Sequence, residues 1–315
     1  FYNNIDTLAE VQNQIYRKVN GMEVLNGKKI KFSGTKAYIV TDNQILTANV
    51  KTFEGKGSVG GFVNAIDFEL VNPDDRMFVV DQGDSKVKVV DLERLEITSE
   101  IEAGDDTNPV FIIKRSYRSF VMNGGLVADS LKDSTIVAID YKDELVPLAD
   151  MMGSLYVGDN PNSAVWINKL RILCKGIYDE NNMVNNTESS FSKVDPWNME
   201  LDWNIVLTNI YNARNLVSNL SGDEYFFTAS DGVYSMNNTG DGINQIDPII
   251  SDVLCYQNEE YSYPLTDSTT AVDTRNILYV NDADNKNRIY KYNLDISSYI
   301  DTIVVDGDAR DINFY

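Results

Sequence analysis

Histidine is absent from this chain of 315 residues. The commonest general base, the usual zinc ligand and the proton shuttle of a Ser-His-Asp triad are missing together. Cysteine occurs only as Cys174 and Cys255. Each lies in or beside an apolar strand-like run, where a buried free thiol is the ordinary reading and a disulfide between them the lesser one. No apolar run approaches the roughly 18 to 20 residues that a membrane-spanning helix needs. Basic residues are scarce: 27 Lys and Arg face 48 Asp and Glu, for a net charge of −21. Such a surface repels phosphate backbones and anionic headgroups, so no nucleic-acid partner is expected. What is present is a hydrophobic share of 43%, enough for one large core, and a single domain over residues 1–315 is expected.

One unit recurs along the chain: a short aromatic or aliphatic strand, a polar turn, an alternating strand ending in Asp or Asn, and a further strand. The clearest copy runs Arg76-Met77-Phe78-Val79-Val80-Asp81, then Gln82-Gly83-Asp84-Ser85, then Lys86-Val87-Lys88-Val89-Val90-Asp91, with another strand from Leu95 to Ile101. Phe78 has counterparts in Tyr38, Phe120, Ile172, Tyr225 and Tyr279, at successive spacings of 40, 42, 52, 53 and 54 residues. The Lys86–Asp91 strand has counterparts at Gln44–Val50, Ser134–Asp140, Ser190–Asp195, Gly232–Asn237 and Asn287–Asn293. Segments such as Ile136-Val137-Ala138-Ile139-Asp140 alternate with period two and are rich in β-branched and aromatic residues, as strands are. Only Leu8–Val19 and Ile210–Leu220 offer a spacing near 3.6, and both fit the strand scheme equally well.

Units of this length with about four strands each are the mark of β-propeller blades. Six are countable from Tyr38 onward, and the chain ends supply strand-like pieces for a seventh: Phe1–Asp6 as a third strand, Val11–Val19 as a fourth, Asp311–Tyr315 as a first. The expected fold is therefore an all-β, seven-bladed propeller whose last blade is closed by N- and C-terminal strands, which removes an open sheet edge. The missing second strand is expected upstream of Phe1. The alternative is a six-bladed ring with an N-terminal extension.

Met77-Phe78-Val79-Val80 through Val87-Lys88-Val89-Val90-Asp91 resembles the YVTN repeat. Tyr156-Val157-Gly158-Asp159-Asn160-Pro161-Asn162-Ser163-Ala164-Val165-Trp166, followed by Leu170–Gly176, is similar to a blade of the surface lipoprotein propellers of Bacteroidetes outer membranes, and Arg288–Tyr292 with Ala309–Phe314 resembles their closing blade. The resemblance implies a non-catalytic protein on the extracellular face of the outer membrane, lipid-anchored through residues upstream of Phe1. It implies capture of a small molecule, a corrinoid such as cobalamin or a siderophore, for a TonB-dependent transporter, the chain being otherwise monomeric. No cofactor is expected. The usual opening strand and acylated cysteine are not in the sequence, and the loop from Lys175 to Ser189 is longer and richer in Asn than the family's.

In a propeller the loops between second and third strands meet the connections between blades on one face, around the channel. The spacing puts Asp81, Asp84, Asp105, Asp106, Asn123, Asp159, Asn160, Tyr178, Asp179, Tyr211, Asn212, Asp231, Asn281, Asp282 and Asp284 there. Aromatic walls with a few amide and carboxylate groups suit a large polar ligand with an apolar body, whereas Asp and Asn also serve simply as turn formers. Asp282 and Asp284 alternate as calcium ligands do, without the glycine and distal glutamate of an EF-hand. Trp166, Trp197 and Trp203 read as core rather than as stacking platforms. Two other readings stay open: a structural or adhesive protein that binds a protein or glycan, and a hydrolase or lyase whose carboxylates hold a metal.

Overall fold

The computed structural model describes residues 11–71, 75–104, 108–124, 133–141, 150–181, 183–249, 251–264, 270–282 and 284–314. They form six antiparallel four-stranded sheets, each strand pairing with the next in sequence. Blade 1 is β1 (Lys29–Ser33), β2 (Lys36–Val40), β3 (Gln44–Asn49) and β4 (Gly55–Gly60); blade 2 is β5 (Ala65–Val71), β6 (Arg76–Asp81), β7 (Lys86–Asp91) and β8 (Glu96–Glu102). Blade 3 comprises β9 (Pro109–Arg115), β10 (Arg118–Asn123), β11 (Thr135–Asp140) and β12 (Asp150–Tyr156), and blade 4 β13 (Pro161–Ile167), β14 (Lys169–Cys174), β15 (Ser190–Asp195) and β16 (Glu200–Val206). Blade 5 is β17 (Arg214–Ser218), β18 (Glu224–Ala229), β19 (Gly232–Asn237) and β20 (Asn244–Asp247); blade 6 is β21 (Ser251–Pro264), β22 (Thr270–Asp282), β23 (Arg288–Asn293) and β24 (Ser298–Val304).

The repeat read from the sequence is the blade. Tyr38, Phe78, Phe120, Ile172, Tyr225 and Tyr279 each sit within a second strand and are at most 1% exposed, because a second strand is covered by neighbouring blades on both faces. The Asp or Asn that ends the third strand has a mechanical reason. Its side chain accepts from backbone N–H groups of the following turn: Asn49 from Lys51 and Thr52, Asp91 from Glu93 and Arg94, Asp195 from Trp197 and Asn198, Asn237 from Thr239 and Asp241, Asn293 from Asp295. This is the local bonding that Asp and Asn offer in turns. Every blade also has a register shift between its third and fourth strands, and such bulges add the twist that lets an outer strand splay away from the axis.

The seventh blade is corrected: the described residues hold six. Residues 1–10, which carry the proposed third strand, lie outside the described residues. Val11–Val19 is no fourth strand, since Ile15–Asn20 is a helical turn, α1, ended by Gly21 in the left-handed region with its N–H donating to the Arg17 carbonyl. α1 packs Tyr16 against Leu46 and Ala48 of blade 1, and Asn20 bonds Phe53 O and Gly55 N of its β3–β4 turn. Asp311–Phe314 forms no strand either, although its alternation is used. Ile312 and Phe314 pack into the blade 6 core, while Asp311 accepts from Ile30 N at 2.9 Å and Asn313 donates to Ile30 O at 3.0 Å on the inner edge of β1. Side chains thus satisfy an edge that a strand was expected to pair. Gln14 and Asn13 bond Asp306, so the two terminal segments meet beside blade 1 and blade 6. Ile210–Leu220 is not helical, and contains β17.

Candidate functional site

The second strands of three blades carry, at or next to their ends, residues the sequence marked: Asp81 and Asn123 fasten the segments leading into their own blades, and Asn281 ties β21 to the segment after β24. Asp81, fully buried, accepts from Val63 N at 2.9 Å and Asn64 N at 2.7 Å and pairs with Lys88 at 2.8 Å. Burial acts to raise its pKa, but Lys88 and these backbone donors hold the carboxyl below its ordinary value. Asn123 donates to Ala103 O and to Thr135 Oγ1; Asn281 accepts from Asp252 N and donates to Ala309 O. Asp84 pairs with Lys88 at 2.7 Å. Asp282 accepts from Asp284 N, Asn285 N and the Tyr290 hydroxyl, which keep it below its usual value against the effect of burial. Asp231 accepts from the Tyr234 hydroxyl. Asp105 and Asp106 lie outside the described residues. Among the described residues no group of three or more Cys, Asp or Glu side chains is placed to hold a metal ion, the Asp282 and Asp284 pair included.

Asp159 and Tyr211 come together in a cleft of about 570 Å³ on blade 4. Its walls are Val157, Gly158 and Asp159 in the connection from β12 to β13, Asn186, Thr187 and Glu188 in the β14–β15 loop, Ser190 of β15, Asn204 and Val206 of β16, and Tyr211 in the connection to β17. Gly158 is required by close approach: a Cβ there would stand 1.9 Å from Ser190 Oγ and 3.0 Å from Cys174 Cβ. Cys174 is a free, buried thiol, as is the half-buried Cys255 free; burial pushes the Cys174 thiol up to about 12, so it is unreactive. Tyr178 and Asp179 belong to the same β14–β15 loop but not to the cleft's wall.

The long Asn-rich loop is wired rather than loose. Asn186 accepts from Asp179 N at 2.8 Å and donates to Asp179 O at 3.2 Å, Thr187 Oγ1 accepts from Ile177 N at 2.8 Å, and Asn160 Nδ2 donates to Gly176 O at 2.8 Å. Asp159 accepts from the Ser134 hydroxyl at 2.9 Å, Glu188 Oε1 from Asn209 N at 2.6 Å, and Asn204 Oδ1 from Ser192 at 2.8 Å. What these bonds leave over points to function: the second oxygen of Glu188, the Nδ2 amide of Asn204 and the Tyr211 hydroxyl have no partner among the described residues. A carboxylate acceptor, an amide donor and a phenol on an immobilised frame can read a hydroxyl, an amide or a cationic edge. Sequence reasoning found Asp159 and Tyr211 but missed Glu188, Asn204 and Ser190, since they lie on strands or beside them and nothing in their spacing separates them from ordinary strand residues.

No family model matches the chain, and no curated protein matches it. Many solved chains share the fold. One is Kuenenia stuttgartiensis hydrazine synthase, at 15% identity and a TM-score of 0.64, the likeness covering 94% of this chain and 81% of that one. At that identity the likeness establishes the β-propeller fold alone.

Proposed function

We propose that this propeller binds a polar small molecule in the blade 4 cleft and does not transform it. The observation that carries the reading is the contrast between a hydrogen-bonded frame and three unengaged polar groups, those of Glu188, Asn204 and Tyr211, facing one cleft. Preorganised groups of that kind give affinity because little ordering remains to be done on binding. The cleft volume lies within the range of small-molecule sites.

Together with the resemblance to surface lipoprotein propellers, this supports a capture protein on the outer membrane that passes its ligand to a TonB-dependent transporter. Charge discriminates between the two ligand classes. A ferric catecholate is an anion, and both the net charge of −21 and the Glu188 carboxylate oppose it. A corrinoid carries a fringe of neutral amides that match the three free groups, and the cleft takes part of that fringe. Calorimetric titration with cyanocobalamin and, separately, with an iron-loaded catechol siderophore tests this. Saturable one-to-one binding of the corrinoid, weakened roughly tenfold by Tyr211→Ala, is expected. Silence for both ligands would contradict the capture role and direct attention to a macromolecular partner.

A further inference from the structure

Ser189 is fully buried and forms no part of the blade 4 cleft's wall, although both its neighbours, Glu188 and Ser190, do. All of its hydrogen-bonding groups are engaged. Its N–H donates to Ile210 O at 2.8 Å and its carbonyl accepts from Leu207 N at 2.8 Å. Its hydroxyl accepts from Ala213 N at 3.0 Å and donates to Lys175 O at 2.8 Å. Lys175 and Gly176 in turn donate their N–H groups to Asn160 O at 2.9 Å and Asp159 O at 3.0 Å. One hydroxyl thus joins three walls of the cleft: the β14–β15 loop, the connection from β12 to β13 and the connection to β17.

The segment 207–213, which carries Tyr211, needs such a clamp. Asn209 and Asn212, on either side of Ile210 and Tyr211, hold φ at 62° and 58°. Asn tolerates this left-handed region better than most residues, but the conformation persists only where its surroundings fix it. Leu207, Ile210 and Ala213 are anchored in the core that blades 4 and 5 share, and half-buried Tyr211 lies at the cleft between two of these anchors. Glu188 adds a second link, since its Oε1 accepts from Asn209 N at 2.6 Å. Without the Ser189 hydroxyl, Lys175 O and Ala213 N would both lose their partner, and a backbone group left unpaired in a buried place drives local rearrangement.

We propose that Ser189 is the positioning residue of the blade 4 cleft, its hydroxyl setting Tyr211 and Glu188 against Asp159 without touching the ligand. The inference rests on the reading of that cleft as a binding site. It places part of the affinity outside the cleft's surface, because recognition groups held in place before binding lose little freedom when the ligand arrives.

The test compares Ser189→Ala with Ser163→Ala in the full chain. Ser163, 4% exposed, also accepts a backbone N–H of blade 5, that of Leu216 at 3.1 Å, but lies outside the cleft's wall. It therefore reports what the loss of a buried fastener does by itself. Hydrogen–deuterium exchange without ligand should be about tenfold faster across residues 207–213 in Ser189→Ala and unchanged there in Ser163→Ala. Calorimetric titration with cyanocobalamin should show roughly tenfold weaker binding for Ser189→Ala and unaltered binding for Ser163→Ala. Exchange across 207–213 that is no faster in Ser189→Ala than in Ser163→Ala overturns the proposal, as does an affinity lowered equally in both. If the unaltered chain binds no cyanocobalamin, the capture reading fails by itself and the exchange comparison decides the role of Ser189.

Discussion

Asp81 and Lys88 form the most deeply buried ion pair of blade 2, with side-chain exposures of 0% and 4%. Removing one partner leaves an uncompensated charge, so Lys88→Met should lower unfolding stability by about 3 kcal/mol in a denaturant titration. The acid limb follows in sign. The native Asp81 carboxyl titrates below its ordinary value, whereas unfolded it sits at about 4. Its contribution is complete above about pH 4 and is lost as the pH falls through the depressed native value. Asp81→Asn should therefore flatten the acid side of the stability curve and leave the slope near neutrality unchanged. Gly158 makes a sharper demand, because its missing Cβ is space already taken by Ser190 and Cys174. Gly158→Ala should destabilise by about 1–3 kcal/mol through overpacking and weaken ligand binding in the cleft, measured by thermal melting and calorimetry on the same preparation.

At the scale of elements, the turn between third and fourth strands repeats a strained position. Four residues after the anchoring Asn or Asp stand Phe53, Leu95, Met199 and Ser297, all with positive φ, between 50° and 60°. Ser297 is exposed and its side chain has no described bond, so Ser297→Gly should stabilise by about 0.5–1 kcal/mol by relieving the left-handed conformation. A drop in melting temperature would contradict that account. The anchors were legible as the Asp or Asn ending each alternating strand; the strained residues after them were not, because Phe, Leu and Met carry no turn signature. The terminal segments misled for the same kind of reason. Asp311–Phe314 keeps a period of two and reads as a strand, yet its alternation serves side-chain bonds to β1 and core packing on blade 6. Gly21 after Arg17 and Lys18 was the available sign that α1 is a helical turn.

For the whole molecule, hydrophobic periodicity sets the blade, and Tyr38, Phe78, Phe120, Ile172, Tyr225 and Tyr279 mark six of them; the propeller was readable from residues alone, but the strand-like chain ends read as a seventh blade that the described residues do not hold. The site was readable only in part. Asp81, Asn123 and Asn281 fall at or next to the end of second strands, where ligand groups and fasteners share the same residue types, and each makes fastening bonds there. Glu188 and Asn204 are chosen by what the surrounding bonds leave unused, a property that no linear spacing carries. The proposed ligand recognition therefore rests on the blade 4 cleft. Hydrogen–deuterium exchange with and without cyanocobalamin tests it most directly: added protection confined to residues 157–160, 186–190 and 204–211 is the expected result, and protection elsewhere, or none at saturating ligand, would contradict it.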